Sequence, residues 1–153
     1  MKLYLVQHGK AVQEEVDPQR PLTEEGRQDT QKVAGFIKPL KISVDYLWHS
    51  GKKRAAQTAE ILAEVVKYKS LTAHTGLGPN DDVRVLKDEL ATTQQDIMIV
   101  GHLPFLNKLA SLLLAGSESA NIVAFTNSGI VCLTRYEKNQ WQLDWAVIPE
   151  LLV

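Results

Sequence analysis

Two histidines stand where apolar, strand-like segments end, and this repeated pattern is the strongest sign of chemistry in the chain. The run at residues 2–6 leads into His8, and the run at residues 97–100 leads into His102. Because the carboxyl ends of parallel strands meet at one edge of a sheet, where α/β proteins bind their ligands, we expect the two histidines to share a site. A neutral imidazole at such a site can act as a nucleophile.

Two arginines, Arg20 and Arg54, also lie in segments that follow predicted strands. Guanidinium groups offer planar, paired donors that suit phosphate, and helix N-termini at the same edge offer free backbone N–H groups. Phosphoryl transfer needs charge stabilisation around the phosphorus and a nucleophile in line with the leaving group. Together with His8 and His102, these arginines predict a phosphate pocket in which one histidine attacks and the other donors hold the charge.

The elements that must position these residues alternate between strand and helix. Strands are expected at residues 2–7, 44–48, 71–73 and 97–102. Helix-like segments follow them at residues 23–39, 55–66, 80–90 and 104–116, with Asn80 or Asp81 as the cap of the third. The alternating segment 122–147 predicts further strands, including a hairpin. We therefore expect an α/β fold, a three-layer α/β/α sandwich whose sheet is mainly parallel with an antiparallel edge strand.

The composition predicts one domain that covers residues 1–153. The 44% hydrophobic content is enough for one core. The net charge is -1, so no overall field favours nucleic acid or an anionic membrane as a partner. The single cysteine, Cys132, forms no internal disulfide, and no signal peptide or membrane-spanning apolar run is evident. We expect a cytoplasmic protein that contacts neither nucleic acid nor membrane.

Four sequence blocks, in order, resemble the signature of the histidine phosphatase superfamily. They are Leu5-Val6-Gln7-His8-Gly9, Arg20-Pro21-Leu22-Thr23-x-x-Gly26, Ser50-Gly51-Lys52-Lys53-Arg54-Ala55-Ala56-Gln57-Thr58 and Gly101-His102-Leu103-Pro104. The first resembles the family's Arg-His-Gly motif, and the third resembles its Ser-Pro-x-x-Arg-Ala-x-Gln-Thr segment. The short chain, without a large insertion, is similar to the SixA group of phosphohistidine phosphatases.

The resemblance implies a role for each matching residue. His8 would be the nucleophile that becomes phosphorylated, and Arg54 and His102 would complete the catalytic set. The phosphate-binding residues would be Gln7, Arg20, Arg54 and His102. No cofactor and no metal ion are implied. The implied reaction removes phosphate from phosphohistidine on a protein and releases inorganic phosphate. Relatives act on small phosphorylated metabolites, so a small-molecule phosphomonoesterase is the alternative.

Gln7 departs from the family pattern, because it stands where the family has an arginine. An amide can donate a hydrogen bond to a phosphate oxygen, but it lacks the charge that makes such bonds about twice as strong. Lys10, Lys52 or Lys53 could supply that charge instead. If none does, the activity would be reduced, and the extreme alternative is a phosphate-binding protein that has lost catalysis.

The general acid is a second open point. Many family members use a carboxylate to protonate an ester leaving group, and the chain offers Asp81, Asp82, Asp88 and Glu89 before the second histidine. Asp81 and Asp82 also suit helix capping. A phosphorylated imidazole leaves with little proton assistance. Without an acid, the site would therefore favour N–P bonds over alkyl phosphoesters.

Overall fold

Six strands form one sheet in the computed structural model of the protein, which describes residues 1–153 except for the side chain of Lys138. The strands are β1 (Lys2–Gln7), β2 (Ser43–His49), β3 (Lys67–Ala73), β4 (Ile97–Gly101), β5 (Ile130–Arg135) and β6 (Trp141–Val147). Their order is β3-β2-β4-β1-β5-β6. The first four in that order are parallel, and β5 and β6 are antiparallel additions at one edge. The predicted, mainly parallel sheet is confirmed.

Four helices cover the sheet on both faces. They are α1 (Glu24–Ile37), α2 (Lys53–Leu62), α3 (Val83–Ala91) and α4 (Phe105–Ala115). Successive residues of a strand point to opposite faces, so Tyr4 and Val6 pack with α1 and α2. Leu3 and Leu5 pack with α3 and α4. This is the predicted α/β/α sandwich. Within the described residues, none of the helices is long and apolar enough to cross a membrane.

The parallel pairing of β1 with β4 makes these two strands end at the same level. Gln7 lies opposite Gly101 in the register, so His8 and His102 each follow the last residue pair of the ladder. The backbone N–H of His8 continues the pairing by donating to the Gly101 carbonyl over 3.0 Å. Residues 97–101 are buried throughout, because helices cover both faces of this central strand.

Several local expectations are wrong. α2 ends at Leu62 rather than at residue 66, and β3 begins at Lys67 rather than at residue 71. Residues 122–125, at the start of the segment expected to form strands, form none; Val123 and Phe125 pack against the core cluster that includes α4. Ser111 Oγ accepts from the backbone N–H of Asn121, and Asn107 donates to the Asn121 side chain. The cap of α3 is Asp82, whose carboxylate accepts from the Arg84 N–H, rather than Asn80 or Asp81.

The segment after β1 crosses the start of α1 with almost no space between the two backbones. Thr23 caps α1 by accepting from the Gly26 N–H, and its own N–H donates to the Lys10 carbonyl. A Cβ at Gly26 would lie 2.9 Å from Lys10 N and closer still to Lys10 O. Only glycine permits this crossing, which holds the His8 loop against α1.

We expect Gly26→Ala to lower the free energy of unfolding by about 1–3 kcal/mol, because the methyl group forces two backbones apart. Gly35→Ala, in the same helix, is the matched control, since a Cβ there meets nothing within 4 Å. It should raise stability by about 0.5–1 kcal/mol through helix propensity. Urea unfolding followed by circular dichroism measures both. Equal effects of the two substitutions would contradict the tight crossing.

Candidate active site

The structure brings His8 and His102 together at the carboxyl edge of the sheet. Their ring centroids are 4.9 Å apart and the ring planes are inclined by 51°. Each follows its strand directly, β1 for His8 and β4 for His102. The two histidines predicted to share a site therefore do lie together. They do so because β1 and β4 end at the same level of the sheet.

The His8 ring is oriented by its own loop. Its Nδ1 lies 2.7 Å from the Gly9 carbonyl oxygen, which can only accept, so Nδ1 carries the proton and Nε2 keeps a free lone pair. Asn127 donates to the His8 carbonyl over 2.9 Å. Thr58 accepts from the Gly9 N–H and donates to the Arg54 carbonyl, which joins the His8 loop to α2. Thr58 lies within a recognised block, whereas no sequence signal pointed to Asn127.

Both histidines are kept neutral by their surroundings. Burial, with smaller contributions from the nearby Arg54 and Arg20 charges, lowers the pKa of His8 to about 4 against the opposing effect of the Gly9 hydrogen bond. Burial, followed by His8 and Arg54, lowers the pKa of His102 to about 3. Since desolvation and neighbouring cations both disfavour imidazolium, each ring is uncharged at neutral pH. An uncharged His8 has the lone pair that a nucleophile needs.

Ser50 holds His102 from the end of β2. Its hydroxyl lies 2.6 Å from His102 Nε2. His102 is only 1% exposed, and its Nδ1 is buried without a protein partner. A hydroxyl that donates to Nε2 places the ring proton on Nδ1, where it is free to donate to another group. The sequence block and turn that contain Ser50 do not by themselves predict this contact, because it joins residues 52 positions apart in the chain.

Two guanidinium groups stand beside the histidines. Arg54 is the second residue of α2, and burial, followed by the Arg20 charge, lowers its pKa. Arg20 has a left-handed backbone, with a φ of 49°, and its Nε donates to the Val12 carbonyl. Among the residues whose side chains the structure describes, no carboxylate lies within 4.0 Å of either guanidinium. Two neighbouring cations without an anionic partner form a binding site for an anion.

An open cleft of about 390 Å³ leads to this edge of the sheet. Its walls include His8, Arg20 and Asn127, together with Lys10, Ala11, Gln13, Thr23 and Glu25. Polar atoms that are buried without a protein partner include Gln7 Oε1, Arg54 Nε and His102 Nδ1. Buried polar atoms usually have partners, so their concentration in the predicted phosphate-binding residues is the mark of a ligand site.

The candidate acids lie elsewhere. Asp82 caps α3 and Asp81 accepts from the Gly78 N–H. The charges that move the pKa of His8 and of His102 are all cationic or imidazole groups. Glu25 lines the cleft, but it is paired with Lys10 over 2.6 Å. The histidines therefore face guanidinium groups without a nearby carboxylate, as far as the described side chains show.

Comparison with known proteins supports the same interpretation. A sequence model of the histidine phosphatase superfamily (branch 1) matches residues 3–78. Phosphohistidine phosphatase SixA of Escherichia coli (strain K12) is 25% identical over 155 residues, covering 97% of this chain and 94% of that protein. The structure of the protein histidine phosphatase SixA complexed with tungstate has a TM-score of 0.86 at 25% identity and covers 99% of both chains.

A more distant structure has the same fold. A mutant phosphoserine phosphatase from Entamoeba histolytica, in complex with phosphoserine, has a TM-score of 0.73 at 18% identity over 99% of both chains. At that identity the likeness concerns the fold alone. The sequence blocks, the matching family model and the likeness to SixA over nearly the whole chain lead to one conclusion: the protein belongs to the histidine phosphatase superfamily and is a SixA-like phosphatase.

Proposed function

We propose that the protein removes phosphate from phosphohistidine on another protein, by way of a phosphorylated His8. The main support for this proposal is the state of His8. Its ring is neutral, is held through Nδ1 by the Gly9 carbonyl, and lies near two guanidinium groups that have no carboxylate partner among the described side chains. Nε2 is then free to attack phosphorus. We also propose a cytoplasmic site of action. We propose a single domain over residues 1–153, since one sheet positions the segments that carry the candidate site residues.

The reaction proceeds in two displacements. In the first, the His8 Nε2 lone pair forms a bond to phosphorus while the bond from phosphorus to the substrate imidazole breaks. That imidazole is protonated on its other nitrogen, so it takes the electron pair and leaves as a neutral ring. Arg20 and Arg54 hold the phosphoryl oxygens, with a neutral donor from Gln7 and the Nδ1 proton of His102. In the second, a water oxygen forms a bond to phosphorus while the bond from phosphorus to His8 Nε2 breaks. The electron pair returns to Nε2, which restores neutral His8, and inorganic phosphate leaves with the protons of the water. Neither displacement requires a metal ion or a cofactor.

The surroundings of the histidines support a nitrogen leaving group. An alkoxide is a poor leaving group unless an acid protonates it, and no carboxylate is among the groups that shift the pKa of His8 or of His102. Glu25, in the wall of the cleft, is paired with Lys10. An imidazole leaves as a stable neutral molecule once it carries a proton. Phosphohistidine therefore suits the site better than an alkyl phosphoester, and the resemblance to SixA points the same way.

Replacement of His8 tests the phosphoenzyme. We expect His8→Ala to reduce hydrolysis of a histidine-phosphorylated protein on the order of 10⁴-fold or more, because the nucleophile is lost. Acid-labile ³²P should be trapped on the wild-type chain and not on this variant. The control is His74→Ala. His74 lies at the same edge of the sheet, where its side chain pairs with Glu89. Retained turnover by His8→Ala would overturn the mechanism, and efficient turnover of a metabolite without any on phosphohistidine would favour the phosphomonoesterase.

Titration of His8 tests the electrostatics of the site. We expect its ring Cε1–H resonance, assigned with the His8→Ala variant, to titrate with a midpoint of about 4 rather than at the usual 6.5. The unfolded chain binds its proton at the higher pH, so the contribution of His8 to stability is complete above pH 6.5 and is lost as the pH falls towards 4. An NMR midpoint between 6 and 7 would show that His8 is solvated and would contradict the buried, neutral nucleophile.

Gln7 supports a second candidate, a pocket with weak catalysis that mainly binds phosphate. Its position beside Gly101 places it next to the second histidine along the sheet edge. Its amide adds no charge to the two guanidinium groups, and its Oε1 is buried without a partner. Lys10 does not supply the missing charge, because it is paired with Glu25 and Asp29.

We expect Gln7→Arg to raise kcat/KM on a phosphorylated substrate on the order of 10- to 100-fold, because a charged donor replaces a neutral one in the transition state. Gln7→Met is the matched control, since it keeps the length and removes the donors, and it should lower activity. Steady-state kinetics on one substrate compares the three proteins. Unchanged or lower activity of Gln7→Arg would show that the native pocket is already suited to its substrate.

A further inference from the structure

Lys52 and Lys53 form an uncompensated positive rim at the start of α2. Both side chains are exposed, and neither lies within 4.0 Å of a described carboxylate. Lys53 Nζ instead donates to the Gln19 amide, next to Arg20. The Lys52 charge is close enough to His102 to contribute to lowering its pKa.

The two lysines are unfavourable for the helix that carries them. Helix N-termini are positively polarised and prefer acidic residues. α1 follows that rule with Glu24 and Glu25, and α3 is capped by Asp82. In contrast, the first turn of α2 has no acidic residue, and Lys52 provides no side-chain cap. Local stability therefore does not account for the two lysines, and an anionic partner outside the chain would.

The rim lies on the protein surface next to the site. Lys52 and Lys53 directly precede Arg54 in the chain, and both are exposed whereas Arg54 is partly buried. The Ser50 hydroxyl joins the rim to the second histidine, because it accepts from the Lys52 N–H and bonds to His102. Leu103, the next residue, is 39% exposed. Exposed cations and an exposed leucine next to buried or half-buried site residues suit the surface of a protein substrate better than a small molecule.

We propose that Lys52 and Lys53 bind acidic side chains that flank the phosphorylated histidine of a protein substrate, with Leu103 as an apolar contact. The proposal rests on the proposed function and adds a substrate preference to it. Lys10, in the wall of the cleft, does not compete for such side chains, because it is already paired with Glu25. Phosphohistidine with acidic neighbours is therefore preferred over the same group with neutral neighbours.

Binding to a non-hydrolysing variant tests the proposal. Two histidine-phosphorylated peptides of one sequence are compared on His8→Ala protein, one with Asp and Glu at the flanking positions and the other with Asn and Gln. We expect the acidic peptide to bind about 5- to 30-fold more tightly by fluorescence anisotropy at low salt. Lys52→Glu with Lys53→Glu should abolish or reverse this preference. Since glutamate is favourable at a helix N-terminus, this variant is expected to fold.

The matched control is Lys32→Glu with Lys67→Glu, which changes the net charge equally at exposed lysines of α1 and β3. It should keep the preference for the acidic peptide. Equal binding of both peptides to His8→Ala, or equal loss in the control, would overturn the proposal. So would equal weakening of both peptides by the rim substitutions, since the lysines would then act on the phosphoryl group itself. Wild-type hydrolysis of N-phosphoimidazole, a substrate without flanking residues, tests the proposed function separately.

Discussion

The parallel pairing of β1 with β4 is the constraint on which the site depends. Because Gln7 lies opposite Gly101, the two strands end at one level and His8 must lie beside His102. The β2 strand joins the same sheet next to β4 and ends in the segment that carries Ser50. Backbone hydrogen bonding between neighbouring strands thus positions groups that are almost a hundred residues apart in the chain.

Burial then determines the chemistry of the groups that the sheet brings together. An exposed histidine is partly protonated near neutral pH, whereas His8 and His102 lose hydration and face guanidinium charges. The same cations that keep the imidazoles neutral are available to the phosphoryl group. In the mechanism proposed above, one arrangement therefore keeps the nucleophile His8 neutral and stabilises the phosphoryl charge. A carboxylate near the histidines would oppose the first of these effects.

The order of helices and strands could be predicted because hydrophobic periodicity and helix-capping or helix-breaking residues are local features of the sequence. The strand expected from residue 122 onwards was misleading for a related reason, since a local pattern carries no information on whether a neighbouring strand is available. Here Val123 and Phe125 pack on the core cluster that includes α4, and Ser111 and Asn107 hold the preceding Asn121. The cap of α3 was misplaced by one or two residues, because several adjacent polar side chains can all act as caps.

The sequence by itself determined the residue types and their order: a histidine after each of two apolar strands, Arg20 and Arg54 between them, and glutamine in place of arginine at position 7. These features follow from motifs and local periodicity. Only the tertiary structure decided that Ser50 contacts His102, that Asn127 holds the His8 loop and that Asp81 and Asp82 serve as turn and helix caps. The contacts of Ser50 and Asn127 join residues that are distant in sequence, and those of Asp81 and Asp82 show which of two local roles each side chain has. Both depend on how the helices and strands pack.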